Sequence, residues 1–168
     1  FNLGASTINA NSWSVFTPAG LTIVPGTSTI NISGGNFQGG GKTYRNLNIT
    51  SAFGSVNISD ANTFDSLSVT GAVTTVSFEN GSVQTVNFLS LPSGNCSAMV
   101  NITAAGGTIA TISMASGTFN GNYLHIDNVV ATGGATFNAT NSIGTGNTSG
   151  WNITAPTTAT YFWIGGTG

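Results

Sequence analysis

Three stretches decide how this chain folds: Lys42-Thr-Tyr-Arg-Asn-Leu-Asn-Ile-Thr50, Asn62-Thr-Phe-Asp-Ser-Leu-Ser-Val-Thr70 and Gly81-Ser-Val-Gln-Thr-Val-Asn-Phe-Leu89. Laid over one another, they match Tyr44 with Phe64 and Val83, Leu47 with Leu67 and Val86, and Ile49 with Val69 and Phe88. The first step is 20 residues and the second 19. A repeat of that length, built from alternating apolar residues, is the signature of a solenoid whose coils stack strand on strand. The expected fold is all-β, a parallel β-helix (β-solenoid) with coils of about 19–22 residues.

The flanking sequence extends the pattern. Thr29-Ile-Asn-Ile-Ser33, Ser55-Val-Asn-Ile-Ser59 and Val73-Thr-Thr-Val-Ser-Phe78 read as strands, separated by turns at Asp60-Ala-Asn62 and Glu79-Asn-Gly81. Residues 1–24 read as two short strands around Pro18-Ala-Gly20. After Leu91 the repeat loosens into a loop, Pro92 to Ser97, followed by strands at Met99–Ile102, Thr108–Ser113 and Tyr123–Asp127. No helical period appears. Gly39-Gly-Gly-Lys-Thr43 lacks both the leading glycine spacing and the following helix of a phosphate-binding loop.

Only 4% of the 168 residues are charged, yet mean hydropathy is positive and 39% are hydrophobic. Such a chain can bury enough surface to fold, and it dissolves through hydroxyls and amides rather than charge. That balance suits an extracellular or virion setting. Two basic residues, Lys42 and Arg45, cannot track a phosphate backbone, so nucleic acid is not an expected partner. No apolar run reaches the roughly 20 residues of a membrane span. Cys96 is the single cysteine, which excludes an intrachain disulfide and reads as a small side chain in or near the core, with an intermolecular bridge as the alternative. Both ends of the sequence look cut from something longer.

Register arithmetic turns the repeat into columns. Tyr44, Phe64 and Val83 are expected to point inward, and Arg45, Asp65 and Gln84 outward, with Arg45 and Asp65 as a surface ion pair. Asp60 and Glu79 are expected to stack at successive turns. Two close carboxylates suit Ca²⁺ or acid–base chemistry, but solvated turn residues are the simpler reading. In Tyr123-Leu-His-Ile-Asp127 alternation puts His125 and Asp127 on one face, without an identifiable nucleophile. Trp13, Tyr44, Tyr123 and Trp151 have the chemistry to stack on sugars, although Trp151 is expected mainly to close the core with its indole N–H bonded. Ice binding would need Thr-x-Thr at one point on every coil, and Thr27/Thr29 and Thr158/Thr160 do not recur at the coil period. Nine Asn-x-Ser/Thr sequons, at Asn31, Asn48, Asn57, Asn80, Asn95, Asn101, Asn138, Asn147 and Asn152, are candidate glycosylation sites.

Residues 123–153 carry Tyr-Leu-x-Ile-Asp, Ala-Thr-Gly-Gly-Ala-Thr-Phe and Gly-Asn-Thr-Ser-Gly-Trp. This segment resembles the closing part of parallel β-helix repeat modules found in bacteriophage tail and virion proteins and in bacterial surface proteins. In those modules a Tyr-x-Trp-x-Gly-Gly-x-Gly phrase often opens the next unit, and Tyr161 to Gly168 is similar to it. The resemblance spans roughly residues 21–168 and implies a module of residues 1–156 followed by a strand or linker, 157–168, towards the next module or subunit. It implies no catalytic motif or cofactor. The expected role is structural: a module of an extracellular or virion fibre that forms a homo-oligomer or head-to-tail filament. Tyr161, Phe162, Trp163 and Ile164 are the expected assembly interface, by strand addition. A glycan-binding adhesin is the alternative. A carbohydrate-active enzyme fits poorly with four acids and two bases in the chain.

Overall fold

The computed structural model describes residues 1–52 and 54–157. Its strands in chain order are β1 (Thr7–Ser14), β2 (Thr29–Gln38), β3 (Thr43–Ser51), β4 (Ser55–Ser59), β5 (Thr63–Gly71), β6 (Thr75–Phe78), β7 (Val83–Ser90) and β8 (Val100–Ala104). They continue as β9 (Ala110–Met114), β10 (Thr118–Asn122), β11 (Leu124–Asp127), β12 (Val129–Thr132), β13 (Thr136–Thr140), β14 (Ile143–Thr145) and β15 (Trp151–Ile153). The pairings between them are parallel and join each coil to the next, in a β-solenoid of about 7 turns.

Alternation of β-branched and polar residues makes these strands and sends every second side chain into a shared interior. One inward row stacks Ile30, Leu47, Leu67 and Leu89; another stacks Val56, Val76, Ile102 and Ile126. A third stacks Tyr44, Phe64, Val86 and Met114. All twelve are nearly fully buried. The chain turns corners within strands: between inward Tyr44 and inward Leu47 lie two outward residues, and Phe64/Leu67 and Val86/Leu89 repeat this. At the end of β5 a glycine lets two coils meet. Gly71 has φ +97°, and a Cβ there would strike the backbone oxygen of Ser51 one coil below.

The first two repeat phrases keep the expected register, Tyr44 over Phe64, Leu47 over Leu67 and Ile49 over Val69. The third is displaced by three residues. Phe64 pairs with Val86 rather than Val83, and Leu67 with Leu89 rather than Val86. Phe88 lies beside Ser66 and is 58% exposed, and Val83 is 41% exposed. The physical reason is that Val83-x-x-Val86-x-x-Leu89 offers the same in-out-out-in spacing twice. The choice falls to the turn, where Ser82 Oγ donates to the Glu79 carbonyl, and to Gln84, whose buried amide completes a polar corner. Gln84 is therefore inside, and Asn87 takes the outward place expected for it.

Coil length varies more than the repeat suggests. Val76 and Ile102 are neighbours across a 26-residue step, because the loop from Leu91 to Met99 is inserted there. Phe137 and Trp151 are neighbours only 14 residues apart. The second strand expected in residues 1–24 is reduced to a single bridge, Asn2 to Val24. Cys96 is exposed at the tip of the inserted loop, not in the core, because an Asx-type turn at Asn95 lifts it away from the stack.

Candidate functional site

The acids at the turns come together as expected but serve the backbone. Asp60 Oδ2 accepts a hydrogen bond from the Gly40 amide, 2.7 Å away and one coil below. Asp60 N–H in turn donates to Glu79 Oε2, one coil above. Each carboxylate thus caps a turn of the preceding coil, and Asp60 itself sits at φ +68°. Behind them, buried Asn62 donates to the carbonyls of Ser59 and Asp60 and accepts from the Gly41 amide. Gln84 continues this corner by donating to the Asp60 carbonyl, while its Oε1 lies 3.3 Å from Asn62 Nδ2. A shallow depression of about 390 Å³, lined by Pro18, Gly41, Asp60, Glu79 and Asn80, lies over the turns. Among the described residues, no group of three His, Cys, Asp or Glu side chains converges to hold a metal.

The His125 row is also built between coils. His125 and Asp127 share the outward face of β11, as alternation requires, with Leu124 and Ile126 buried. His125 Nδ1 lies 3.0 Å from Asn101 Oδ1 and Nε2 lies 3.0 Å from Thr145 Oγ1. Thr145 donates to Asp127 Oδ1 at 2.9 Å. The threonine hydroxyl thus stands between imidazole and carboxylate, with its proton committed to Asp127. A nucleophilic triad needs the imidazole in that middle position.

Arg45 and Asp65 form the expected ion pair, Nε to Oδ2 at 3.2 Å, and Asn87 Nδ2 donates to the other oxygen of Asp65 at 3.0 Å. The pair is 48% and 36% exposed, so it contributes about 0–1 kcal/mol at most.

The aromatic residues divide between core and surface. Tyr44 is buried, stacked on Phe64 and edge-on to Phe37 and Trp13; its hydroxyl donates to the Gly39 carbonyl at 2.8 Å and accepts from Trp13 Nε1 at 3.2 Å. Burial pushes its phenol up to about 12. Trp151 is buried against Phe119 and Phe137, and its indole N–H is bonded as expected, to the Val129 carbonyl at 2.9 Å. Tyr44 and Trp151 therefore offer no face to a sugar. Phe16, and Phe88, which the repeat matched with inward Ile49 and Val69, are well-exposed rings beside Phe1 among the described residues.

The sequons reveal something the local pattern hides. Asn48 Nδ2 donates to Asn31 Oδ1 and Asn31 Nδ2 to Asn9 Oδ1. Asn57 donates to Asn36, Asn138 to Asn120 and Asn152 to Asn138 in the same way. Five of the nine sequon asparagines are therefore rungs of amide ladders running along the axis, whereas Asn80, Asn95 and Asn147 lie exposed outside the strands. A hydroxyl row, Thr43, Thr63, Thr85, Ser113 and Thr132, runs parallel on another face. Its steps of unequal length conceal it from a search at constant period. It is a single row beside the Arg45–Asp65–Asn87 column, not a Thr-x-Thr array. Tyr161, Phe162, Trp163 and Ile164 lie outside the described residues. No described helix is long and apolar enough to cross a membrane. No family model, curated protein or solved structure matches the chain.

Proposed function

We propose that this chain is a structural β-solenoid module of a fibre or filament, exposed outside a cell or on a virion, that works through rigid length and end contacts rather than catalysis. One observation carries the reading most: the four acids, the arginine and the histidine are bonded along the axis. Asp60, Glu79, Arg45, Asp65, His125 and Asp127 each bond to a neighbouring coil. Groups committed to holding the stack together are poorly placed to turn over a substrate. The stack also has unlike ends: β1 at one, and β14 and β15 at the other, are paired with a strand on one side only among the described residues, while β12 is covered by the segment before Trp151. Open strand edges invite strand addition or end-to-end stacking. The apolar sequence Tyr161-Phe-Trp-Ile164 suits the strand-addition form of that contact.

The test is sedimentation of the purified chain over a wide concentration range, together with antibody labelling of the intact particle or cell that makes it. A species series that keeps growing, with label on external appendages, is the expected outcome. A chain that stays monomeric at every concentration, with label confined to the interior, contradicts it.

A further inference from the structure

The amide ladders have a direction. In every pair described, the Nδ2 of the later coil donates to the Oδ1 of the earlier one: Asn31 to Asn9, Asn48 to Asn31, Asn57 to Asn36, Asn138 to Asn120 and Asn152 to Asn138. The bonds form three separate runs, Asn9–Asn31–Asn48, Asn36–Asn57 and Asn120–Asn138–Asn152, with Ser68 and Ser90 following Asn48 in register; each run has unlike ends, and the first begins at one end of the stack while the last finishes at the other. At the N-terminal end, Asn9 has spent its oxygen on Asn31, and its Nδ2 takes no partner among the described residues. At the C-terminal end, Asn152 has spent an amide hydrogen on Asn138, and its Oδ1 accepts none among the described residues.

The surroundings of these two groups match as well. Ile8-Asn9-Ala10 on β1 and Trp151-Asn152-Ile153 on β15 each place the asparagine outward between two core-facing residues. Ile8, Ala10 and Trp13 at one end and Ile153 at the other pack on the core while remaining only partly buried. Among the described residues, each end is thus an apolar centre edged by a β-strand paired on one side only.

We infer that the partner of each end is a second copy of this chain, stacked head to tail so that Asn9 of one copy donates to Asn152 of the next and the ladder continues across the junction. The contact is heterologous and does not close on itself, so it extends into a fibre. The inference rests on the filament reading above and adds its register.

Cross-linking tests it. In a Cys96→Ser background, Asn9→Cys and Asn152→Cys are combined. Adjacent parallel strands stand about 4.8 Å apart, within disulfide reach. Mild oxidation is expected to give dimers, trimers and higher multimers that a reductant returns to monomer, while Asn48→Cys with Asn152→Cys gives no such series. As a second readout, Asn152→Leu, at an exposed end position, is expected to weaken association about three- to tenfold, the worth of one hydrogen bond. If filaments form without the cross-linked series, or Asn152→Leu leaves association unchanged, this register is overturned and the filament reading stands. If neither filaments nor multimers form, both fall.

Discussion

At the scale of single residues, Tyr44 concentrates the chemistry of the interior. Its ring supplies the broad contact that aligns Trp13, Phe37 and Phe64, and its hydroxyl satisfies the Gly39 carbonyl and the Trp13 indole in one place. Tyr44→Phe keeps the ring and strands both partners, so it should cost about 1–3 kcal/mol at neutral pH, measurable by urea unfolding. The titration has a definite sign. The unfolded chain releases the phenolic proton near 10 and the folded chain near 12, so between those values the folded state holds more protons. The contribution is intact below pH 10 and declines as pH rises towards 12. Unfolding free energies of the wild type and Tyr44→Phe should therefore converge over that interval. An unchanged gap would show that the phenol is not buried as described. Tyr44 was legible in the sequence as an inward residue, as was the Arg45–Asp65 pair, because both follow from local alternation. The Asn62–Gln84 corner was not. A polar side chain is assigned to solvent by default, and only the turn carbonyls of Ser59 and Asp60, unsatisfied without it, make its burial favourable.

At the scale of elements, register is the quantity that matters, since a shift exchanges core and surface along a strand. The displaced third phrase gives a direct test. Leu89→Ala, at a buried position, should cost about 2–5 kcal/mol, while Phe88→Ala, beside it and exposed, should stay within about 0.5 kcal/mol. Equal losses would restore the register in which Phe88 faces inward. The corners give a second test. Gly133 has φ +96°, and a Cβ there would meet the backbone of Met114 in the adjacent coil. Gly133→Ala should lower stability by at least about 1–2 kcal/mol from backbone strain alone, read as a fall in the thermal midpoint. Strand existence was legible from β-branched alternation, including Thr29–Ser33, Ser55–Ser59 and the segment ending at Asp127. Strand partners were less so. The loop from Leu91 to Met99 and the 14-residue final step break the constant period on which sequence alignment of coils depends. The exposed Cys96 belongs to that same insertion, where no periodic pattern exists to place it.

At the scale of the whole molecule, each coil repeats one arrangement: apolar rows inside, and amides, hydroxyls and a few charges joined coil to coil outside. The β-solenoid class was readable from the 20-residue spacing because stacking is the way such short units bury their apolar faces together. The ladders were not readable, since they join residues separated by steps from 14 to 22. Their common direction appears only when the coils are stacked. Electron microscopy of the concentrated chain decides whether copies stack end to end. About seven coils at about 4.8 Å each give an expected axial rise of about 35 Å per copy, in unbranched rods one solenoid wide. Single particles at every concentration, or rods whose axial repeat is unrelated to that length, would contradict end-to-end stacking.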